Sequence, residues 1–420
     1  MSNRMGCSRR RFLIGCSSAV AAMAGSRLTT LSFAKDSAHA GSRDLLVVIF
    51  LRGGMDGLNF VAPVNDRDYI AARAASLRLG DTGENAGLPL ADGPAGLDFR
   101  IHPSAKGLKE LYDSKHLAVV HACGLSNGTR SHFEAQDLME RGVVDLKQLN
   151  ISTGWLTRHL DLTHGDGLLP AIGTSDSTPA ALLGCGPAAA IPDINAFSFY
   201  GDEHQLRCLR KLYAGESPTQ RSGAATLQAI DVVAKHLKRD QNGTAIPYQP
   251  ENNTKYPEND LSTSLQTVAR LAKMDMGLQC AAVDFGGWDT HQGQANYFPT
   301  LIEQLSGAIA GFYNDMGRYQ NRLSVVVMSE FGRRVKSNES EGTDHGHGNV
   351  MLLLGGAVKG GKIYGKWPGL ATEQLDDRAD LAVTTDYRSV LAEVITGHSG
   401  NAPIDSLFPA FTAGPRLGVF

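Results

Sequence analysis

The 420-residue chain carries 40 Lys and Arg against 43 Asp and Glu, a formal net charge of −3 at neutral pH, and 42% of its residues are hydrophobic. Beyond the N-terminus the basic residues are dispersed, which excludes the electrostatic footprint of a nucleic-acid binder. A mildly acidic chain of this length can bury the core of one large α/β domain or of two smaller ones.

At the N-terminus Arg4, Arg9, Arg10 and Arg11 precede a weakly apolar run from Phe12 to Gly25. The string Ser8-Arg9-Arg10-Arg11-Phe12-Leu13 matches the twin-arginine export pattern, and the apolar run is shorter than the ~20 residues that span a bilayer. Small residues offer cleavage at Ser32-Phe33-Ala34 or Ala38-His39-Ala40. Residues 1–40 thus read as a cleaved twin-arginine signal peptide that engages the export machinery. Residues 41–420 then form a single α/β domain in the periplasm or outside the cell, with no transmembrane segment.

Leu45 to Leu51 is a continuous apolar run that stops at Arg52-Gly53-Gly54, as expected of a strand buried on both faces. Similar runs lie at Leu117 to Ala122, Leu278 to Phe285, Leu323 to Ser329 and Val350 to Gly355. Helical periodicity covers Ser104 to Lys115, Ser131 to Gly142, Ala224 to Arg239, Asp260 to Met276, Tyr297 to Tyr319 and Asp386 to Thr396. This alternation predicts a mostly parallel central sheet with helices on both faces. Residues 240–259, rich in Pro, Asn and charge, predict a loop insertion. Of the cysteines beyond residue 40, Cys123, Cys185, Cys208 and Cys280, none stand at metal-ligand spacing, and Cys185 with Cys208 is the candidate disulfide.

Polar clusters follow the apolar runs directly. Gly286-Gly287-Trp288-Asp289-Thr290-His291 follows the third and Ser329-Glu330-Phe331-Gly332-Arg333-Arg334 the fourth, while Thr343-Asp344-His345-Gly346-His347 comes just before the fifth. In a parallel sheet such positions share one rim, where ligands bind. Carboxylate and imidazole together form a ligand set for zinc, manganese or calcium. Taken singly, each piece has a plainer reading: Asp289-Thr290-His291 as a helix cap, His345 and His347 as solvated loop histidines, Asp56-Gly57 as a turn. Ser131 with Glu134 has the signature of a capping box, yet a hydroxyl at a helix start beside Arg130 could also attack a phosphorus or sulfur centre.

The strings Arg52-Gly53-Gly54-Met55-Asp56-Gly57, Thr129-Arg130-Ser131-His132-Phe133, Gly287-Trp288-Asp289-Thr290-His291 and Ser329-Glu330-Phe331-Gly332-Arg333, with Gly342-Thr343-Asp344-His345-Gly346, together resemble the exported bacterial domain-of-unknown-function family numbered fifteen hundred and one. The resemblance covers nearly all of residues 41–420. Members of that family look like distant relatives of alkaline phosphatases, sulfatases and cofactor-independent phosphoglycerate mutases. The resemblance therefore implies an alkaline phosphatase-like sandwich holding one or two divalent ions. It carries metal binding to Asp56, Asp289, His291, Glu330, Asp344, His345 and His347. Ser131 becomes the nucleophile, supported by Arg130 and His132, and Arg52 and Arg333 take the substrate anion. Two departures stand out, Gly53 where a metal-binding Asp belongs and Phe331 where a histidine ligand belongs. The function implied is an exported metal-dependent hydrolase of phosphate or sulfate esters. The alternative is a non-catalytic secreted protein that keeps the fold and binds a protein partner.

Overall fold

The computed structural model describes residues 44–420 apart from 95, 146, 148–150, 164–166, 186–187, 239, 242–245 and 401. The signal-like segment, residues 1–40, lies outside the described residues. Among the described residues there are twelve strands: β1 Leu45–Leu51, β2 Val61–Pro63, β3 Leu88–Pro89, β4 Phe99–Ile101, β5 Leu117–Gly124, β6 Ala171–Gly173, β7 Ala188–Ala190, β8 Cys280–Phe285, β9 Leu323–Ser329, β10 Asn349–Gly355, β11 Ile363–Tyr364 and β12 Thr385–Asp386. The longer helices are α1 Lys106–Asp113, α2 His132–Arg141, α3 Trp155–Leu162, α4 Glu203–Leu212, α5 Pro218–His236, α6 Asp260–Lys273, α7 Gln294–Asp315 and α8 Tyr387–Ser399.

Nine strands form the main sheet in the order β11-β5-β10-β9-β1-β8-β6-β7, with β12 also pairing β5. β2, β4 and β3 form a small antiparallel sheet beside it. In the main sheet β1 pairs in parallel with β8 and β9, whereas β10 runs antiparallel to both β9 and β5. That reversal matters for the site. Residues preceding β10 lie at the same edge as residues following β1, β5, β8 and β9, so one rim collects five connections.

Every residue of β1 is buried, which is why its sequence shows no polar alternation. Leu45, Val47, Ile49 and Leu51 face one core with Leu108 of α1, Leu265 of α6 and Ile302 of α7. Leu46, Val48 and Phe50 face a second core with Leu138 of α2, Leu156 of α3 and Val390 of α8. The chain is thus an α/β sandwich with a mostly parallel sheet between two helical layers, as the run pattern predicts. No helix among the described residues is long and apolar enough to cross a membrane.

Two local expectations change, and the place of the predicted loop becomes clear. Ser131 occupies the N-cap of α2 with its hydroxyl making no capping bond. Thr129 Oγ1 instead donates to Glu134 Oε2 at 3.0 Å and accepts from the Ser131 amide at 3.2 Å, so the capping box is replaced. Cys185 and Cys208 are both free thiols. Residues 246–259 pack far from the rim: Tyr248 Oη and Tyr256 Oη donate to Asp315 Oδ2 at 2.8 and 2.9 Å at the C-terminal end of α7. Gln294, at the other end of that helix, donates to Asp56 at 2.7 Å. A helix of 22 residues separates the two ends, about 33 Å at the usual rise.

Candidate metal centre

β1 ends in a turn that passes directly over the chain leaving β8. Gly53 has φ +123°, and a Cβ there would lie 2.5 Å from the Asp289 amide nitrogen. Only glycine fits. Trp288, fully buried against Phe285 and Phe298, anchors the β8 exit and presents Asp289 and His291 at the surface. After β9, the chain pairs with the segment before β10: Gly332 N–H donates to the His347 carbonyl and Gly346 N–H to the Gly332 carbonyl, each at 2.9 Å. An antiparallel bridge joins Arg333 to His345. These bonds swing His345 over the β8 exit, while α2 brings His132 from the end of β5.

Three imidazole nitrogens gather around one carboxylate oxygen there, and the ligand atoms of His132, Asp289 and His345 lie within 4.8 Å of one another. His345 Nε2 lies 2.9 Å from His291 Nε2 and 3.1 Å from Asp289 Oδ1. His291 Nε2 is 3.1 Å and His132 Nε2 3.5 Å from that same oxygen. Nitrogen and oxygen ligands at ~2.0–2.1 Å from a tetrahedral ion stand ~3.3 Å apart, and the observed separations bracket that value. His132 Nε2 is buried and makes no hydrogen bond, an orphaned lone pair that a cation would satisfy.

The outer nitrogens are all spoken for. His345 Nδ1 lies 2.9 Å from the Arg130 carbonyl, which accepts only if that nitrogen carries the proton. His132 Nδ1 is 2.7 Å from Glu330 Oε1, and His291 Nδ1 is 3.5 Å from Asp344 Oδ1. By partner chemistry each imidazole therefore presents an Nε2 lone pair inward, the usual arrangement of metal-ligating histidines. Burial pushes the Asp289 carboxyl up, but the hydrogen bond and positive charge of Arg333 outweigh it and hold the group at about 2. Burial lowers His345, which keeps it neutral and able to ligate. The side chains of Asp289 and His291 remain 49% and 42% exposed, so one face of the cluster stays open to solvent.

The remaining candidates lie outside this group. Asp56 is fully buried and accepts from Arg73, Gln294 and the Asn59 amide. Glu330 sits behind His132, taking three N–H groups on one oxygen. Asp344 sits behind His291 and accepts from Asn338 at 3.0 Å. His347 turns away to Asp376 at 2.5 Å and the Gly128 carbonyl at 3.2 Å, lining a separate cavity of about 320 Å³ with Ser126 and Gln374. His132, read from the sequence as a helper of Ser131, stands instead among the inward-facing imidazoles.

Arg52 and Arg333, expected to take the substrate anion, and Arg130, expected to support Ser131, are already engaged. Arg52 makes a two-pronged contact with Glu140 at 2.9 and 3.0 Å and another with Asp284 at 2.9 Å. Arg130 binds Asp377 and Asp380. Arg333, almost fully buried, donates to the carbonyls of Gly53, Gly54, Trp288 and Thr343 and to Asp289. Its guanidinium locks three strand exits together. Sequence reasoning missed Gln136 and Glu140, although His132, Gln136 and Glu140 recur at four-residue spacing along one face of α2, which is the face turned to the sheet end.

A family model described as "Protein of unknown function (DUF1501)" matches residues 129–396. No curated protein matches the sequence. Among solved structures, Ps i-CgsB in complex with k-i-k-neocarrahexaose is 8% identical at TM-score 0.39, covering 87% of this chain and 74% of that one. The PsFucS1 sulfatase from Pseudoalteromonas sp. is 11% identical at TM-score 0.34, covering 78% of this chain and 65% of that one. Alkaline phosphatase from the Antarctic bacterium TAB5 is 8% identical at TM-score 0.33, covering 86% of this chain and 100% of that one. Likenesses this distant say nothing about activity, which rests on the geometry of the rim.

Proposed function

The chain belongs to the DUF1501 family, and from the geometry of its rim we propose that it is a metal-dependent hydrolase of phosphate or sulfate esters holding one divalent ion between His132, Asp289, His291 and His345. The observation that carries this reading is that three imidazole Nε2 atoms stand 3.1–3.5 Å from Asp289 Oδ1, with the ligand atoms of His132, Asp289 and His345 all within 4.8 Å of one another and each imidazole backed by an acceptor on its outer nitrogen. Three imidazoles and a carboxylate suit zinc better than calcium, which prefers an all-oxygen shell. One ion is proposed rather than two, because among the described residues Asp56, Glu330 and Asp344 join no second group of metal-ligating atoms.

When bound, the ion supplies Lewis acidity toward an ester oxygen. Asp289 supplies the one carboxylate charge of the set, held ionised by Arg333. Ser131, exposed and directly before His132, offers an uncommitted hydroxyl as nucleophile. The first-turn amides of α2 face the same rim and suit an anionic group. Phe331, packed 4.8 Å from the rings of His132 and His345, keeps water from the back of the cluster.

The test is elemental analysis of the purified protein followed by hydrolysis assays on nitrophenyl phosphate and sulfate. One equivalent of metal and turnover lost in Asp289→Ala and His345→Ala are expected. Protein that takes up no zinc, manganese or calcium and turns over neither ester would end the proposal. A second reading, an exported binding protein with a structural ion, is favoured by the engagement of Arg52, Arg130 and Arg333, since a four-ligand set without a free cation also suits a non-catalytic site. Metal uptake without turnover would select it. We place the site outside the cytoplasm through the twin-arginine segment around Arg9 and Arg10, with residues 41–420 as one domain. Replacing both arginines with lysine would leave the protein in the cytoplasm.

A further inference from the structure

We infer that Glu330 is a positioning residue that fixes His132 with Nδ1 protonated and the Nε2 lone pair turned into the cluster. The inference deepens the metal-site reading and rests on it for its consequence, though not for its geometry. Glu330 follows the last residue of β9 and is fully buried. Its Oε1 accepts from His132 Nδ1 at 2.7 Å, Gln136 Nε2 at 2.7 Å and the Gly53 amide at 2.9 Å. Ser329 Oγ lies 2.9 Å from Oε2. An oxygen with three donors has no lone pair left for a metal, so Glu330 acts through His132 and not beside it.

The surroundings leave His132 one orientation. Gln136 stands one helical turn further along α2 and takes hold of the same carboxylate oxygen. The Phe331 ring lies 4.8 Å from the imidazole at 35°, close to a stacked arrangement that blocks a ring flip. Gly53 links the carboxylate to the turn that crosses the Asp289 amide. Glu330 therefore ties the helix that carries one candidate ligand to the strand exit that carries another. A carboxylate behind an imidazole also raises the basicity of the inner nitrogen, which strengthens ligation.

The informative variant is Glu330→Gln, which keeps the shape. Its amide oxygen can still accept from His132, Gln136 and Gly53, and its NH₂ can donate to Ser329 Oγ, whose own hydrogen has the Leu51 carbonyl at 2.7 Å. Only the charge is removed. Zinc titrations of apo-protein against a chelator of known affinity should show Glu330→Gln binding about 10–100-fold more weakly, in a variant that is less stable than wild type at neutral pH but still unfolds cooperatively. In a His132→Ala background the same substitution should have no effect on zinc affinity, as a double-mutant cycle requires of a residue acting through His132.

A second readout needs no metal: ¹⁵N imidazole shifts of His132 in apo-protein at alkaline pH. The wild type should show the Nδ1-protonated tautomer, and Glu330→Ala should shift it toward a mixture. Zinc affinity unchanged in Glu330→Gln, or a wild-type His132 protonated at Nε2, would overturn the inference. Wild-type protein that binds no metal yet keeps the Nδ1-protonated tautomer would instead overturn the metal-site reading and leave the positioning role supported.

Discussion

Replacing Asp56 separates two roles for a residue that the sequence places at the metal site. Asp56 and Arg73 form an ion pair with both side chains fully buried, and Asp56 also accepts from Gln294 at 2.7 Å and caps the Gly57–Phe60 turn through the Asn59 amide at 3.1 Å. Burial pushes the Asp56 carboxyl up, but Arg73 outweighs it and the group stays below the usual carboxylate range. Asp56→Ala leaves the Arg73 guanidinium in the interior with one remaining bond, to the Arg334 carbonyl at 3.2 Å. Removing one partner of a buried pair costs about 3–5 kcal/mol. At the unfolding entropy of a chain this long, that corresponds to a fall in melting temperature of roughly 5 °C. Denaturant titration and calorimetry on apo-protein measure it, with zinc affinity as the second axis. The double variant Asp56→Ala/Arg73→Met, which removes both charges, should recover most of the loss. A change below ~1 kcal/mol for Asp56→Ala, or a loss of zinc binding with stability intact, would refute the structural role and return Asp56 to the ligand set.

Four further outcomes are expected. His132→Ala and His345→Ala should each lower zinc affinity by more than about tenfold, while His347→Ala, engaged with Asp376 and Gly128, should leave it unchanged; chelator competition reads both. Burial raises Glu330, but bonds from His132 and Gln136 hold it at about 2 against a reference of 4.5. A depressed carboxyl contributes stability above its unfolded pKa and loses it as pH falls through the folded value. Apo-protein should therefore lose about 3 kcal/mol more than Glu330→Gln between pH ~4.5 and ~2, by acid titration of unfolding. Gly53→Ala should fold poorly and bind zinc weakly, because the added methyl meets the Asp289 amide at 2.5 Å. Non-reducing peptide mapping should find Cys185 and Cys208 unlinked.

Much of the fold was legible because its strands are buried on both faces. Leu45–Leu51 and Leu323–Ser329 match their apolar runs to the residue, since a strand covered by helices on each side needs no polar position and ends where the polarity begins. α2 ends where a left-handed Gly142, φ +68°, stops it. Ala171–Gly173 and Ala188–Ala190 were missed, being three-residue strands too short to show a period. α3 and α4 also escaped: α3 starts at Gly154 without a side-chain cap, whereas α4 carries an Asp202–Gln205 capping box that was an available signal.

The candidate site divides along the same line. Residue types near strand ends are local facts, so the sequence determined that Asp289, His291 and His345 belong to the polar rim and that α2 begins beside it. Which of them meet is a non-local fact. The direction of β10 decided that His345 joins the rim at all, and its bridge to Arg333 decided that His345 faces Asp289 while His347, two residues on, faces Asp376. Packing of α2 against the end of β9 put His132 among the inward-facing imidazoles and Glu330 behind it. Composition supplies ligand atoms, but their convergence depends on strand order, strand direction and the partners that saturate each carboxylate, and those exist only once the chain is folded.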